Sequence, residues 1–347
     1  MGSNGPDNAQ TLAAIERSLP PLLPPGWRLR RDRRAGVALA WTVRAPDGAT
    51  ASFAVTVQGA SFGRRLDAVV AELREAGGYP LVAAPFLSAT VRETLAERNV
   101  SYADATGNLR LVADRPGLFV QRHGAHKDPW PTDDTLRSLR GRAAGRAVRA
   151  LVEFRPPFGV RDVAKRAAVP LGSLSRTLDL LDREGLVVRG ERGDVLDLDW
   201  ERAVRRWADD YDFARSNRVA SYVVTGGIDA FGSKLLRPKR PYAITGPHAA
   251  GQLVGGGGPA VPAGLYVEDI DLAVERLGLT PETAEANVIL SEGYDRVVFE
   301  RPLVRDGRSY AAPAQLAVDL LTWPGGQMSV ANVVLDWMRA NEGVWRG

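Results

Sequence analysis

The stretch Asp162-Val-Ala-Lys-Arg-Ala-Ala-Val-Pro-Leu-Gly-Ser-Leu-Ser-Arg-Thr-Leu-Asp-Leu-Leu-Asp-Arg-Glu-Gly-Leu-Val187 decides the fold of the middle of this chain. Val160, Val163, Ala164 and Ala167 fall at i, i+3, i+4 and i+7, which predicts a short helix entered from Pro156-Pro157. Val169-Pro170 marks a turn. Leu174, Leu178 and Leu181 then define the buried side of a further helix over 171–184 that stops before Gly185. Upstream, Ala144, Val148, Leu151 and Val152 give a first amphipathic helix. Downstream, Leu186-Val187-Val188-Arg189 and Val195-Leu196-Asp197-Leu198 flank Gly190-Glu191-Arg192-Gly193, a hairpin with a basic tip.

Helix, short helix, tight turn, helix and β-hairpin make the winged helix-turn-helix arrangement, and the quoted string resembles bacterial transcriptional regulators of that class. The third helix carries Ser175, Arg176, Asp179 and Arg183 opposite its leucines. Ser173 and Ser175 lie near its start, where hydroxyls and free backbone amides meet phosphate oxygens. Arg176 is placed to reach a base edge in the major groove, and Arg189 and Arg192 to meet the flanking backbone or minor groove. The expected DNA-binding set is Lys165, Arg166, Ser173, Ser175, Arg176, Asp179, Arg189 and Arg192. Some winged helices serve only as protein-interaction modules. The charge here favours DNA: residues 137–192 hold 13 basic and 6 acidic side chains, net +7, in a chain of net +4.

The remaining composition excludes much else. A chain of 347 residues with 45% hydrophobic and 25% charged residues has enough material for two or three domains with real cores. No apolar run approaches the roughly 20 residues of a membrane helix, so no membrane partner is expected. Glu16 and Arg17 interrupt the only apolar stretch near the start, so no secretory signal is expected either. The absence of cysteine excludes disulfides, thiolate zinc sites and cysteine nucleophiles, and fits a cytoplasmic protein. His123, His126 and His248 have no metal-ligand spacing, and no cofactor or metal is expected. Only four of the 45 basic residues are lysine, a skew that reflects genome composition more than function.

Residues 1–25 hold a short helix and a proline-rich lead, with four prolines between Pro20 and Pro25. Residues 26–123 read as α/β. Val37, Leu39, Trp41 and Val43 alternate, as do Phe53, Val55 and Val57; Leu66, Val69, Val70 and Leu73 have helical spacing; Tyr79 to Ala84 is a buried strand. The order strand, strand, helix, strand, helix, strand resembles the restriction-endonuclease-like fold, and Tyr79-Pro-Leu-Val-Ala-Ala-Pro85 and Tyr102-Ala-Asp-Ala-Thr-Gly-Asn108 resemble degenerate members of it. The metal-binding triplet of that family is missing, because Val55-Thr56-Val57-Gln58 has Thr and Gln at the acid and lysine places. The resemblance therefore implies a shell without the chemistry. Asp104 and Asn108 read as a turn satisfying its own backbone.

Residues 124–136 have the composition of a linker, 137–207 are the winged helix, and 208–347 are again α/β. Short strands are expected at Tyr222 to Val224, Tyr242 to Thr245, Leu265 to Val267, Asn287 to Leu290 and Arg296 to Phe299, with helices through Leu316 to Leu321 and Val330 to Trp337. Gly255 to Gly258 reads as a loop. Tyr242-Ala-Ile-Thr-Gly-Pro-His-Ala-Ala-Gly-Gln-Leu253, Tyr294-Asp-Arg-Val-Val-Phe-Glu-Arg301 and Ala312-Pro-Ala-Gln-Leu-Ala-Val-Asp-Leu-Leu-Thr-Trp-Pro-Gly325, beside a winged helix, resemble the AbiEi family of regulators, the antitoxins of type IV toxin–antitoxin systems. The resemblance implies promoter binding, autorepression and a cognate toxin as a further partner. A rival interpretation is enzymatic: Thr245-Gly-Pro-His-Ala-Ala250 followed by Glu268-Asp-Ile-Asp271 resembles a nucleotidyltransferase layout, with Asp269 and Asp271 sharing one face of a strand to hold magnesium. Pro247 interrupts that glycine turn, and an acidic helix start is the plainer alternative. The expectation is thus an α+β multidomain, non-enzymatic transcriptional regulator that binds double-stranded DNA. Its oligomeric state is left open, with a dimer common among regulators that read palindromes.

Overall fold

The computed structural model describes residues 5–34, 37–59, 66–130, 138–231, 240–255, 262–281 and 286–347. Helix and strand are mixed throughout. The chain divides into two compact units, Met1–Arg137 with Asp179–Arg189, and Ser138–Leu178 with Gly190–Gly347.

In the first unit, α1 (Asn8–Ser18) opens with a capping box in which Asp7 and Gln10 satisfy one another's amides. Strands β1 (Arg28–Arg34), β2 (Val37–Arg44) and β3 (Thr50–Val57) form an antiparallel meander. Helix α2 (Leu66–Glu75), β4 (Tyr79–Ala84), α3 (Ala89–Glu97) and β5 (Ser101–Asp104) follow as parallel crossovers, and β6 (Leu109–Ala113) and β7 (Leu118–Arg122) end the sheet antiparallel. Its seven strands lie in sequence order. The alternation of period two sends Trp41, Val43, Phe53 and Val55 to one face, against Leu12 and Ile15 of α1. Ala54, Val82 and Ala84 go to the other face, against Val69 and Leu73 of α2 and Val91 and Leu95 of α3. Strand β1 has no apolar alternation and was not expected from sequence.

At the end of β5, buried Asp104 accepts hydrogen bonds from the Thr106 amide and hydroxyl, the Asn108 amide and side chain, and the Leu87 amide. Asn108 in turn binds Gly124 N and Ala125 O. Both polar side chains are thus consumed in tying a turn, as the sequence suggested. On β3, Gln58 Nε2 donates to Thr56 Oγ1 at 2.9 Å.

The second unit begins with α4 (Arg142–Glu153), α5 (Val160–Arg166) and α6 (Leu171–Arg183), the last of which runs on into residues grouped with the first unit. Strands β8 (Val187–Arg189), whose residues are grouped with the first unit, and β9 (Val195–Leu198) form a two-stranded ribbon. After α7 (Trp200–Ala208) and α8 (Phe213–Ser216) come β10 (Arg218–Val223), β11 (Tyr242–Thr245), α9 (Gly246–Val254), β12 (Ala263–Val267), α10 (Ile270–Leu277), β13 (Thr280–Pro281), β14 (Val288–Glu292), β15 (Leu303–Arg305) and β16 (Arg308–Tyr310). Helices α11 (Pro313–Leu321), α12 (Met328–Ala340) and α13 (Glu342–Trp345) close the chain. The sheet is mixed, in the order β13-β10-β14-β12-β11-β16-β15.

Two expectations are corrected here. Arg296–Phe299 is a turn of 3-10 helix rather than a strand, because Asp295 accepts from Val297 N and caps it. Asp269 and Asp271 do not share a strand face: Asp269 caps α10 by accepting from Leu272 N, and Asp271 is exposed in its first turn, paired with Arg218 at 3.2 Å. The expected loop Gly255 to Gly258 and the expected linker lie partly outside the described residues.

A polar cluster is buried within this unit. Asp319 on α11 accepts from the hydroxyls of Thr245, Tyr211 and Tyr266 and from Gln315 Nε2 at 2.6–3.0 Å. Burial pushes its carboxyl up from 3.8 to about 6, against the lowering effect of these donors.

Candidate nucleic-acid interface

The short helix, turn and third helix are built by local rules. Helix α5 ends as Ala167 N and Val169 N return to Val163 O and Ala164 O, with Ala168 in the left-handed region at φ 50°. Pro170 O accepts from Ser173 N at 2.9 Å and Leu174 N at 3.1 Å, which starts α6 and leaves the Leu171 and Gly172 amides, its first donors, without a partner among the described residues. Leu174, Thr177, Leu178 and Leu181 are buried. Gly185 closes the helix at φ 73°, with its amide on Asp182 O and Leu186 N on Leu181 O, a Schellman arrangement.

Arg176 is exposed, and its guanidinium turns back over Gly172 toward the start of α6, the direction helical side chains favour. A cation and free amides therefore share the exposed helix start. Ser173 and Ser175 are half-buried beside them, and Lys165 is exposed on α5. Arg166 is exposed as well, with its guanidinium stacked 4.1 Å from the Phe154 ring. Arg192 is exposed in the wing turn, where Gly193 takes φ 81° and Gly190 N bonds Asp194 O at 2.9 Å. The wing is seated by Phe158, which exchanges two 3.0 Å backbone bonds with Val195.

Arg189 and Asp179 stand differently. Arg189 Nη1 lies 2.8 Å from Asp179 Oδ1 and 3.6 Å from Asp182 Oδ2, so this cation is already neutralised by α6. The basic surplus of residues 137–192 is reduced in the same way on α4. Arg142 donates to Tyr294 O, Arg146 pairs with Asp295 at 2.6 Å and Glu300 at 2.9 Å, and buried Arg149 bonds Glu153, Val297 O and Glu300 O. These three arginines, at i, i+4 and i+7, grip residues 294–300 and are not free to meet a ligand. Sequence reasoning missed Arg161, which is exposed one turn before Lys165 on α5; the i, i+4 pair of cations was the signal. The outward cations of α5, α6 and the β8–β9 turn are thus Arg161, Lys165, Arg166, Arg176 and Arg192.

Among the described residues no group of three histidine, aspartate or glutamate side chains is arranged to hold a metal, and no helix is long and apolar enough to cross a membrane. Comparison with protein-family models, with curated proteins and with solved structures gives no match to this chain.

Proposed function

We propose that the protein is a transcriptional regulator that binds double-stranded DNA in a sequence-specific way through α5, α6 and the β8–β9 wing. The observation that carries this is the exposed start of α6, where the Arg176 guanidinium lies over Gly172 and the Leu171 and Gly172 amides have no partner among the described residues, with Lys165 and Arg161 exposed on the preceding helix. Helix α6 enters the major groove; its amides, Ser173 and Ser175 hold phosphates, and Arg176 reaches a guanine edge, a contact worth about 1–3 kcal/mol of discrimination. Arg192 lies along the flanking backbone. In this proposal the N-terminal sheet is a restriction-endonuclease-like shell without nuclease chemistry, and the C-terminal part is an AbiEi-like, nucleotidyltransferase-like frame that carries the winged helix. The protein acts in the cytoplasm and needs no cofactor.

The deciding experiment is a salt titration of binding to the DNA upstream of the protein's own gene against a shuffled duplex. Tighter binding to the native duplex at every salt concentration is the expected result. Equal, steeply salt-dependent binding to both would overturn sequence-specific regulation and favour an antitoxin whose work is toxin neutralisation.

A further inference from the structure

Strand β1 holds five arginines in seven residues and is the outer strand of the first sheet. The register places Arg28 opposite Arg44 and Arg30 opposite Thr42; Arg44 in turn faces Thr50, and Thr42 faces Ser52. Because side chains alternate, Leu29 and Arg31 go with Val43 and Trp41 to the α1 face, where Arg31 lies 3.6 Å from Glu16. Arg28, Arg30 and Arg44 go to the opposite face. Among the described residues, the core on that face, under α2 and α3, draws none from β1 or β2. What remains there is three guanidiniums and one carboxylate, Asp32, rimmed by hydroxyls.

This arrangement costs stability, since like charges directly opposite one another on neighbouring strands repel. Arg28 and Arg44 have no ion-pair partner among the described residues. Arg30 engages Asp32 through Nε at 2.8 Å, yet its side chain stays 78% exposed. Guanidinium forks fit phosphate oxygens, and threonine and serine hydroxyls donate to the same oxygens. Among the described residues the patch has no large apolar side chain to serve as the anchor that a protein interface or a lipid surface needs.

We propose that this face of the first sheet is a second phosphate-binding surface, which takes the backbone of double-stranded DNA without sequence preference. It goes beyond the winged-helix assignment and uses none of its residues. The test uses the full chain and a duplex of arbitrary sequence, comparing the wild type with Arg28→Gln/Arg30→Gln/Arg44→Gln. The slope of log affinity against log salt should become shallower by about 2–3, at roughly 0.9 for each phosphate that is no longer neutralised. The corresponding triple lysine variant should restore the slope, which separates charge from folding. An unchanged slope in the glutamine variant overturns the proposal. So does displacement of the duplex by polyglutamate as readily as by unlabelled duplex, which would assign the face to an acidic protein segment. Failure of the winged-helix assignment would show elsewhere, as unaltered binding in Arg176 and Arg192 variants.

Discussion

Arg189 of the wing and Asp179 of α6 form an ion pair at 2.8 Å, with Arg189 largely covered and the Asp179 side chain 56% exposed. The pair places a carboxylate on the outward side of the helix proposed to enter the groove, and it occupies a cation that would otherwise meet phosphate. Asp179→Ala removes the one and leaves the other held only by the longer 3.6 Å pair with Asp182. Affinity for non-specific duplex should therefore rise several-fold, and the salt dependence should steepen by about 1. Fluorescence anisotropy across a salt series checks this; unchanged affinity would mean that neither residue lies near DNA.

Arg176 and Arg192 should separate by the kind of loss. Arg176→Ala should cost about 1–3 kcal/mol on the native site and relax specificity at one base pair. Arg192→Ala should weaken binding to all sequences alike and lower the salt slope by about 1. Binding measured on a panel of single-base operator variants distinguishes the two.

The grip of α4 on residues 294–300 should govern stability. Arg149 and Glu153 are both buried. Glu153→Gln leaves the Arg149 guanidinium short of its counter-charge and should cost about 3–5 kcal/mol in urea unfolding. At Gly145 an added Cβ would lie 2.7 Å from the Tyr294 ring. Gly145→Ala should therefore destabilise by about 1–3 kcal/mol, while the mild helix preference of alanine works the other way.

Asp319 should leave a signature in pH dependence. Its carboxyl is raised to about 6 in the folded chain, so the folded state holds this proton more tightly than the unfolded one. Its contribution to stability is greatest below about pH 4, falls as pH rises through 4 to 6, and is level above that, a change of roughly 3 kcal/mol. Asp319→Asn should remove this component. Urea unfolding of both proteins at a series of pH values measures it; parallel profiles would contradict the assignment.

The helices and the two-stranded ribbon between Arg142 and Leu198 were legible because their leucines keep a helical period and their turns carry Gly185, Gly190 and Gly193, all of which report local geometry. The buried faces of β2 to β4 were legible for the same reason. Strand β1 was not: five arginines and one aspartate hide the alternation, and only pairing with β2 reveals it. Arg296–Phe299 looked like a strand because its valines are apolar, and the cap from Asp295 overrides that preference. At the candidate site, the exposure of Lys165 and Arg176 follows from helical periodicity. The engagement of Arg142, Arg146 and Arg149 does not, since their partners lie about 150 residues further along the chain and no local pattern encodes so distant a pairing.

The outer strand of the first sheet has a further consequence, for solubility. An edge strand offers unpaired amides and carbonyls, on which a second molecule can add a strand of its own. In β1 those groups are flanked by the guanidiniums of Arg28, Arg30 and Arg31, and a second copy approaching edge to edge would bring three more. Mutual repulsion then disfavours a further strand on this edge, and Arg31, which Arg28→Gln/Arg30→Gln/Arg44→Gln retains, keeps part of that protection.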